Sequence, residues 1–449
     1  MSNLDYLTEK KPWWALLIFA APIIIGNIVQ HLYIIADSAI VGRCVSQQAL
    51  AAVGACNSLT NVFICIAIGG GIGASVLVSH SFGAHDYKQM RTAALTSLLS
   101  FLVLSILLGL VGWFGSRLIM TLLNTPADVI DMAVDYLKIY FLGLPFLFMY
   151  NVLSAMFNAL GKSRIPLYFL IISSLLNVGL DAWFVISFGW GVKGVAWATL
   201  LAQGLSAVAS FAVFMVLLSR LCRTSGQAFD RLTFRQMVGL ALPSILQQST
   251  VSIGLMLVQS VVNSFGSEVL AGFSAVMRIE GLCVIPMTSI STAVSSYTAQ
   301  NLGAHKPDRV PQGLRSANVM VGCFAVLICI LMLGFGEPMA RLFLGDDGTP
   351  LALETALAYF RFSGWFFALV GLKMAVDGVL RGSGDMLMFT VANLANLTTR
   401  VVLAMVLAPR FGIGWVWYAV PIGWLINFLV SYAQYRTGKW RSKLSETAS

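Results

Sequence analysis

Two carboxylates in this chain stand where carboxylates are rare. Asp37 lies in the apolar run Tyr33-Ile34-Ile35-Ala36-Asp37-Ser38, and Asp181 in Asn177-Val178-Gly179-Leu180-Asp181. An ionisable group inside a stretch apolar enough to cross a bilayer is costly, which makes each a candidate site. Asn177 and Asp181 are four residues apart and share one helix face. Two carboxylates and an amide oxygen can hold Na+, or the acids can take up and release protons. The competing reading puts both acids near outer helix ends, facing water.

The elements that must position these groups are membrane helices. Hydrophobic residues make up 58% of the 449 residues and charged residues only 10%, against about 25% charged in soluble globular proteins. A spanning helix needs about 20 mostly apolar residues. Twelve such stretches run from about 13–41, 49–79, 92–114, 129–159, 166–187 and 194–218 to 236–263, 269–299, 316–335, 352–379, 387–408 and 414–435. The fold class is therefore all-α and polytopic, with the lipid bilayer as solvent. The first stretch extends past the length of a signal peptide and lacks a small-residue cleavage site, so it reads as a span. In a soluble protein the net charge of +9 would suggest nucleic acid. Here the basic residues sit in short loops, and no nucleic-acid partner is expected. With the N-terminus inside, most Lys and Arg fall inside, among them Lys88, Arg91, Lys162, Arg220, Lys306 and Arg436. Of the loop residues, Arg43, Arg117, Lys193, Arg341 and Arg410 fall outside. This asymmetry puts both termini in the cytoplasm.

The chain also repeats itself. Ser81-Phe82-Gly83-Ala84-His85 returns as Asn301-Leu302-Gly303-Ala304-His305, Leu50-Ala51 as Leu270-Ala271, and Pro22 as Pro243, at nearly constant spacing. Two six-helix bundles follow: residues 1–218, a cytoplasmic linker over 219–235, and residues 236–449. With six spans each, both halves enter the membrane the same way and are expected to flank a central cavity. The repeat places Asn396 and Arg400 where the first half has Asn177 and Asp181, so an acid has become a base. The cation site should lie in the N-terminal half alone, with Arg400 a charge partner or an anchor at the outer headgroups.

The other polar groups read mostly as structural. Lys373 and Asp377, and Arg278 and Glu280, are read as locally neutralised pairs, with Asp377 the next candidate for ion coupling. His85 and His305 are expected to terminate helices. Gly69-Gly70-Gly71-Ile72-Gly73 lacks the lysine of a phosphate-binding loop and reads as close helix packing. The seven cysteines are scattered, with no metal-ligand spacing, and no catalytic cluster stands out. An enzyme is not expected, nor any cofactor beyond the coupling ion, H+ or Na+. Flat lipophilic cations would suit a cavity lined by aromatic and methionine side chains. His31, Tyr33, Met149, Tyr150 and Met256 are the candidate lining residues.

Taken together, several segments resemble the multidrug and toxic compound extrusion (MATE) family over about residues 13 to 435. They are Pro22 followed by Asp37-Ser38-Ala39-Ile40-Val41-Gly42, Gln47-Gln48-Ala49-Leu50-Ala51-Ala52-Val53-Gly54, the two Gly-Ala-His loops, Asn158-Ala159-Leu160-Gly161, and Val379-Leu380-Arg381-Gly382-Ser383-Gly384-Asp385. The resemblance implies export of small organic cations, drugs and toxins among them, in exchange for H+ or Na+. Its acidic site maps onto Asp37, Asn177 and Asp181. It also implies a bacterial cytoplasmic (inner) membrane, and a monomer is the expected state. Some members carry a glutamate in the seventh helix, where this chain offers Gln247, Gln248 and Gln259. A flippase of lipid-linked oligosaccharide is the alternative on a related fold, but it would need a cavity lined by Arg and Lys.

The orientation gives a first prediction. Of single-cysteine variants retaining Cys44 or Cys222, an impermeant maleimide should label Cys44 in intact cells and Cys222 only after permeabilisation. The reverse pattern would invert the topology.

Overall fold

The computed structural model describes residues 5–44, 47–123, 125–222, 226–345 and 348–442, the side chains of 35–44, 47 and 50 excepted. Among these residues every regular element is helical. That is what hydrocarbon demands, since a helix satisfies its own backbone donors and acceptors. The first elements are α1 (Tyr6–Glu9), α2 (Pro12–Cys44), α3 (Gln47–Gly83), α4 (Tyr87–Leu122) and α5 (Ile130–Ala159). Next come α6 (Arg164–Ala182), continued as a π-helix over Trp183–Ser187, and α7 (Gly191–Leu221). They are followed by α8 (Arg231–Asn263), α9 (Ser267–Gly303), α10 (Arg309–Leu344) and α11 (Pro350–Ser363). A 3-10 turn at Gly364–Phe366 joins α11 to α12 (Phe367–Gly382), before α13 (Met386–Phe411) and α14 (Gly414–Arg436). Among the described residues twelve helical spans are long and apolar enough to cross a membrane, and each expected stretch falls on one of them.

Two compact units are present. One is Ile25–Ile245; the other is Met1–Ile24 with Leu246–Ser449. In the first, or N-terminal, unit α5 is central and packs on α3, α4 and α7, while α6 packs on α7. In the second, or C-terminal, unit α9 packs on α10, α11 and α12, and α14 on α12 and α13.

The glycine run in α3 explains how the N-terminal unit closes. A Cβ at Gly69 would stand 2.6 Å from the Ile245 Cα, and one at Gly73 would stand 2.4 Å from the Ala241 Cα. These two glycines, one turn apart, let α3 and the first half of α8 meet backbone to backbone. Gly71, on another face of α3, would bring a Cβ to 3.3 Å from the Asn151 carbonyl of α5. The run is a packing device, as its lack of a phosphate-loop lysine implied.

His85 and His305 are the positive-φ residues other than glycine among those described, at 57° and 56°. Each follows a helix end. The Asp86 N–H donates to Ser81 O (3.0 Å) and the Lys306 N–H to Asn301 O (2.8 Å). That six-to-one bond closes a helix through a left-handed residue, a place glycine usually takes. The expected role in helix termination is thus met at both repeats. Beside the second repeat, α1 is held down: Asn301 Nδ2 donates to Leu7 O (3.1 Å) and Lys306 Nζ to Thr8 O (3.3 Å), with Leu7 fully buried.

The entry to α8 is tied to α4. The Asp230 carboxylate accepts from the Thr233 N–H (2.7 Å) and caps α8, while its own N–H donates to Thr96 Oγ1 (3.1 Å). The Thr233 hydroxyl and amide hold the Asp230 carboxyl below the usual carboxylate range. The cap is therefore in force above ordinary carboxylate pKa values and is lost as pH falls through the lowered one. Cys222 is buried, with its thiol donating to Tyr87 O at 3.1 Å, and burial pushes its pKa up, against the lowering effect of Arg91. A thiol so covered reacts slowly, so a cysteine at exposed Gln227 reports the side on which this loop lies better. The Cys44 side chain lies outside the described residues.

Two substitutions test the packing of these elements. His305→Gly should raise stability by about 1 kcal/mol by removing left-handed strain. Gly73→Val should lower it by about 1–3 kcal/mol through overpacking against Ala241. Fluorescence-detected melting in detergent should order the variants accordingly; unchanged melting of Gly73→Val would remove the close α3–α8 contact.

Candidate functional site

The site in the N-terminal unit is assembled on α6. Asn177 and Asp181 lie one turn apart, 2% and 0% exposed, on the face of α6 that meets α7. The hydrogen-bonding surroundings fix the Asn177 amide. Its oxygen accepts from the Thr199 backbone N–H (3.1 Å) and hydroxyl (3.2 Å). Its nitrogen donates to Asp181 Oδ2 (2.7 Å) and to the Tyr33 hydroxyl (3.0 Å). Asn177 thus ties α6 to α7 through Thr199 and to α2 through Tyr33. Asp37 lies one helical turn beyond Tyr33 on α2, and its side chain lies outside the described residues.

One residue after Asp181 the helix widens into the π-helix Trp183–Ser187, a form frequent at functional sites. Aromatic rings stack within it and just beyond it: Trp183 on Phe184 at 5.8 Å between ring centroids, and Phe188 on Trp190 at 5.5 Å. Lys193 pairs with Asp135 at 3.0 Å, both half-exposed.

Beyond Thr199 lies a small cavity of about 20 Å³ between α5 and α7, room for about one water, lined among others by Tyr136, Tyr140, Thr199 and Gln203. Thr199 serves both features, bonding Asn177 on one side and walling the cavity on the other. The Tyr140 hydroxyl is engaged, donating to Thr60 O (3.2 Å). Sequence reasoning missed Tyr136, Tyr140, Thr199 and Gln203. Their signal was a polar stripe at helical spacing on α5 and α7, which becomes a wall only when those helices are known to face each other.

Of the expected lining residues, Tyr33 joins the Asn177 network. His31, two residues earlier, is half-buried on a different face of α2. Met149 is half-buried on α5, and the Tyr150 hydroxyl donates to Pro166 O at 3.5 Å, linking α5 to the start of α6. Met256 is exposed on α8 in the C-terminal unit.

The C-terminal unit carries its own buried charges. Lys373 and Asp377 form the expected pair at 3.3 Å, both side chains 6% exposed. Ser431 Oγ donates to Asp377 Oδ1 (2.6 Å) and Asn393 Nδ2 to Oδ2 (3.4 Å). With both oxygens engaged, Asp377 is built into the core. The expected Arg278–Glu280 pair does not form. Residues two apart point to different sides of a helix; Arg278 lies over the Phe343 ring at 6.0 Å, while Glu280 accepts a hydrogen bond from the Tyr359 hydroxyl. Among the described residues, no group of three or more His, Cys, Asp or Glu is arranged to hold a metal ion.

Comparison with known proteins fits this architecture. The MatE family model matches residues 22–183 and 243–406, one match in each repeat. The chain is 29% identical over 444 residues to the probable multidrug resistance protein YpnP of Bacillus subtilis (strain 168), covering 98% of both chains. It is 29% identical over 466 residues to the probable multidrug resistance protein YoeA of the same organism, again covering 98% of each. A solved outward-facing multidrug resistance MATE family transporter of the MOP superfamily has the same fold, with a TM-score of 0.90 at 22% identity over 100% of this chain and 99% of that one.

Proposed function

The chain belongs to the MatE family, and on that premise we propose that it exports lipophilic, often cationic organic compounds in exchange for H+ or Na+. Asp37, Asn177 and Asp181 form the ion site of this reading, and the membrane is the bacterial cytoplasmic one. The observation that carries it is the double role of Thr199, which contacts the carboxylate network and walls the neighbouring cavity.

The chemistry follows from the Asn177 amide. Its nitrogen side faces Asp181, which suits an ionised carboxylate with no ion bound. Na+ requires oxygen ligands, and a protonated Asp181 becomes a donor at one oxygen. Either ion favours the reversed amide, oxygen toward Asp181. Reversal turns the amide nitrogen to the Thr199 hydroxyl, 3.2 Å away, and removes the bond from the Thr199 N–H. The cavity wall and the ion site then exchange one hydrogen-bonding arrangement for another. An ion that favours one arrangement and a substrate that favours the other oppose each other's binding, which is the reciprocity antiport requires.

Proteoliposomes with an imposed ΔpH or ΔpNa test this reading. Asp181→Asn should reduce gradient-driven export of ethidium to the level of protein-free vesicles, at equal reconstituted protein and unchanged melting. Wild-type rates from that variant would place the coupling site elsewhere.

A further inference from the structure

The segment ahead of α2 is clasped by a corner of the C-terminal unit. Tyr6, Leu7 and Thr8 of α1 are all buried. The last carbonyls of a helix have no partner within it, and here side chains of the α9–α10 corner take them. Asn301 Nδ2 donates to Leu7 O (3.1 Å), Lys306 Nζ to Thr8 O (3.3 Å) and Arg309 Nη2 to Lys10 O. Arg309 is itself held. Its Nε donates to Oδ1 of the fully buried Asn301 (2.9 Å), and its guanidinium lies over the Tyr297 ring at 5.9 Å. In the first repeat the matching positions carry Ser81, Asp86 and Gln89. There Asp86 serves its own corner, accepting from the Gln89 N–H (2.9 Å) and capping α4. Both corners turn through the same left-handed histidine, so the donors at 301, 306 and 309 are not needed to make the turn. They belong to the clasp.

The clasp fixes the start of α2 in the C-terminal unit. Leu16, Phe19 and Ala20 are buried in one apolar cluster with Leu7, Val294, Tyr297 and Val310. Residues up to Ile24 belong to that unit, and from Ile25 the same helix belongs to the N-terminal unit. There the Tyr33 hydroxyl accepts from the Asn177 amide. One helix is thus held by the clasp at its start and joined to the Asp181 network further along. We propose that Asn301, Lys306 and Arg309 are positioning residues for transport. They clasp α1 so that the start of α2 moves with the C-terminal unit, and the ion-dependent state of the Asn177–Asp181 network passes along α2 to that unit. The inference rests on the reading of that network as the ion site.

The triple variant Asn301→Ser, Lys306→Asp, Arg309→Gln carries the first repeat's residues at this corner. In the full chain in nanodiscs, its amide exchange over residues 12–24 should rise roughly tenfold, the scale of one lost charge-assisted bond. Its equilibrium affinity for ethidium should match the wild type, while gradient-driven export of ethidium from proteoliposomes falls by a similar factor. Among single variants, Arg309→Gln should lose part of the protection and Arg309→Lys keep most of it; that pair decides by the same exchange readout if the triple variant does not fold. Unchanged exchange over residues 12–24 overturns the clasp. Raised exchange with wild-type export overturns its role in transport, as does a loss of affinity in step with export, the mark of a merely structural corner. Exchange needs no gradient, so a wild type that exports nothing would refute the export reading and leave the clasp to be judged on exchange.

Discussion

No water reaches the hydrocarbon core of a bilayer, so every donor and acceptor there must be answered from within the protein. The helices answer their own backbones. Buried hydroxyls turn back onto the preceding turn, as Ser97 does to Ala93 O (2.7 Å) and Thr355 to Leu351 O (2.7 Å). Proline breaks the ladder and leaves a mark: α10 departs from helical angles at Phe335, three residues before Pro338. Where a charged group persists under this constraint, its partners define what it does. Asp377, answered by Lys373, Asn393 and Ser431, is fixed. Asp181 is bonded by an amide that can present either nitrogen or oxygen, and under the proposed function it answers the coupling ion.

The same position in the repeat carries opposite chemistry in the two units. Asn177–Asp181 in the N-terminal unit corresponds to Asn396–Arg400 in the C-terminal unit. The Asn177 amide is served by the Tyr33 hydroxyl of α2, whereas Asn396 Oδ1 and Arg400 Nε are buried without a hydrogen-bond partner. In the first the tyrosine hydroxyl accepts from Asn177. In the C-terminal unit the Tyr359 hydroxyl donates to Glu280 of α9. A duplicated scaffold thus carries an anion at this position in one unit and a cation in the other.

The spans were legible because a bilayer imposes length and apolarity together, and both are visible in composition. The Gly-Ala-His loops announced helix ends because left-handed geometry selects small or special residues. The Asn177–Asp181 pair was legible because both members lie on one helix at a spacing of four. Contacts between distant segments were not. Nothing in local pattern joins Tyr33 to Asn177, Tyr359 to Glu280, or Thr199 to Tyr136, since each pairing depends on which helices are neighbours. Local proximity in sequence misled once: Arg278 and Glu280 are near in the chain, but the helical period turns them apart.

The central claim is that the Asp181 network binds the coupling ion in competition with substrate. The most direct test is the equilibrium affinity of ethidium for the purified protein across pH and Na+ concentration. Wild-type affinity should weaken in proportion to whichever ion is coupled, and Asp181→Asn should be indifferent to both. A wild type indifferent to both ions, or an Asp181→Asn variant with the wild-type dependence, would contradict it.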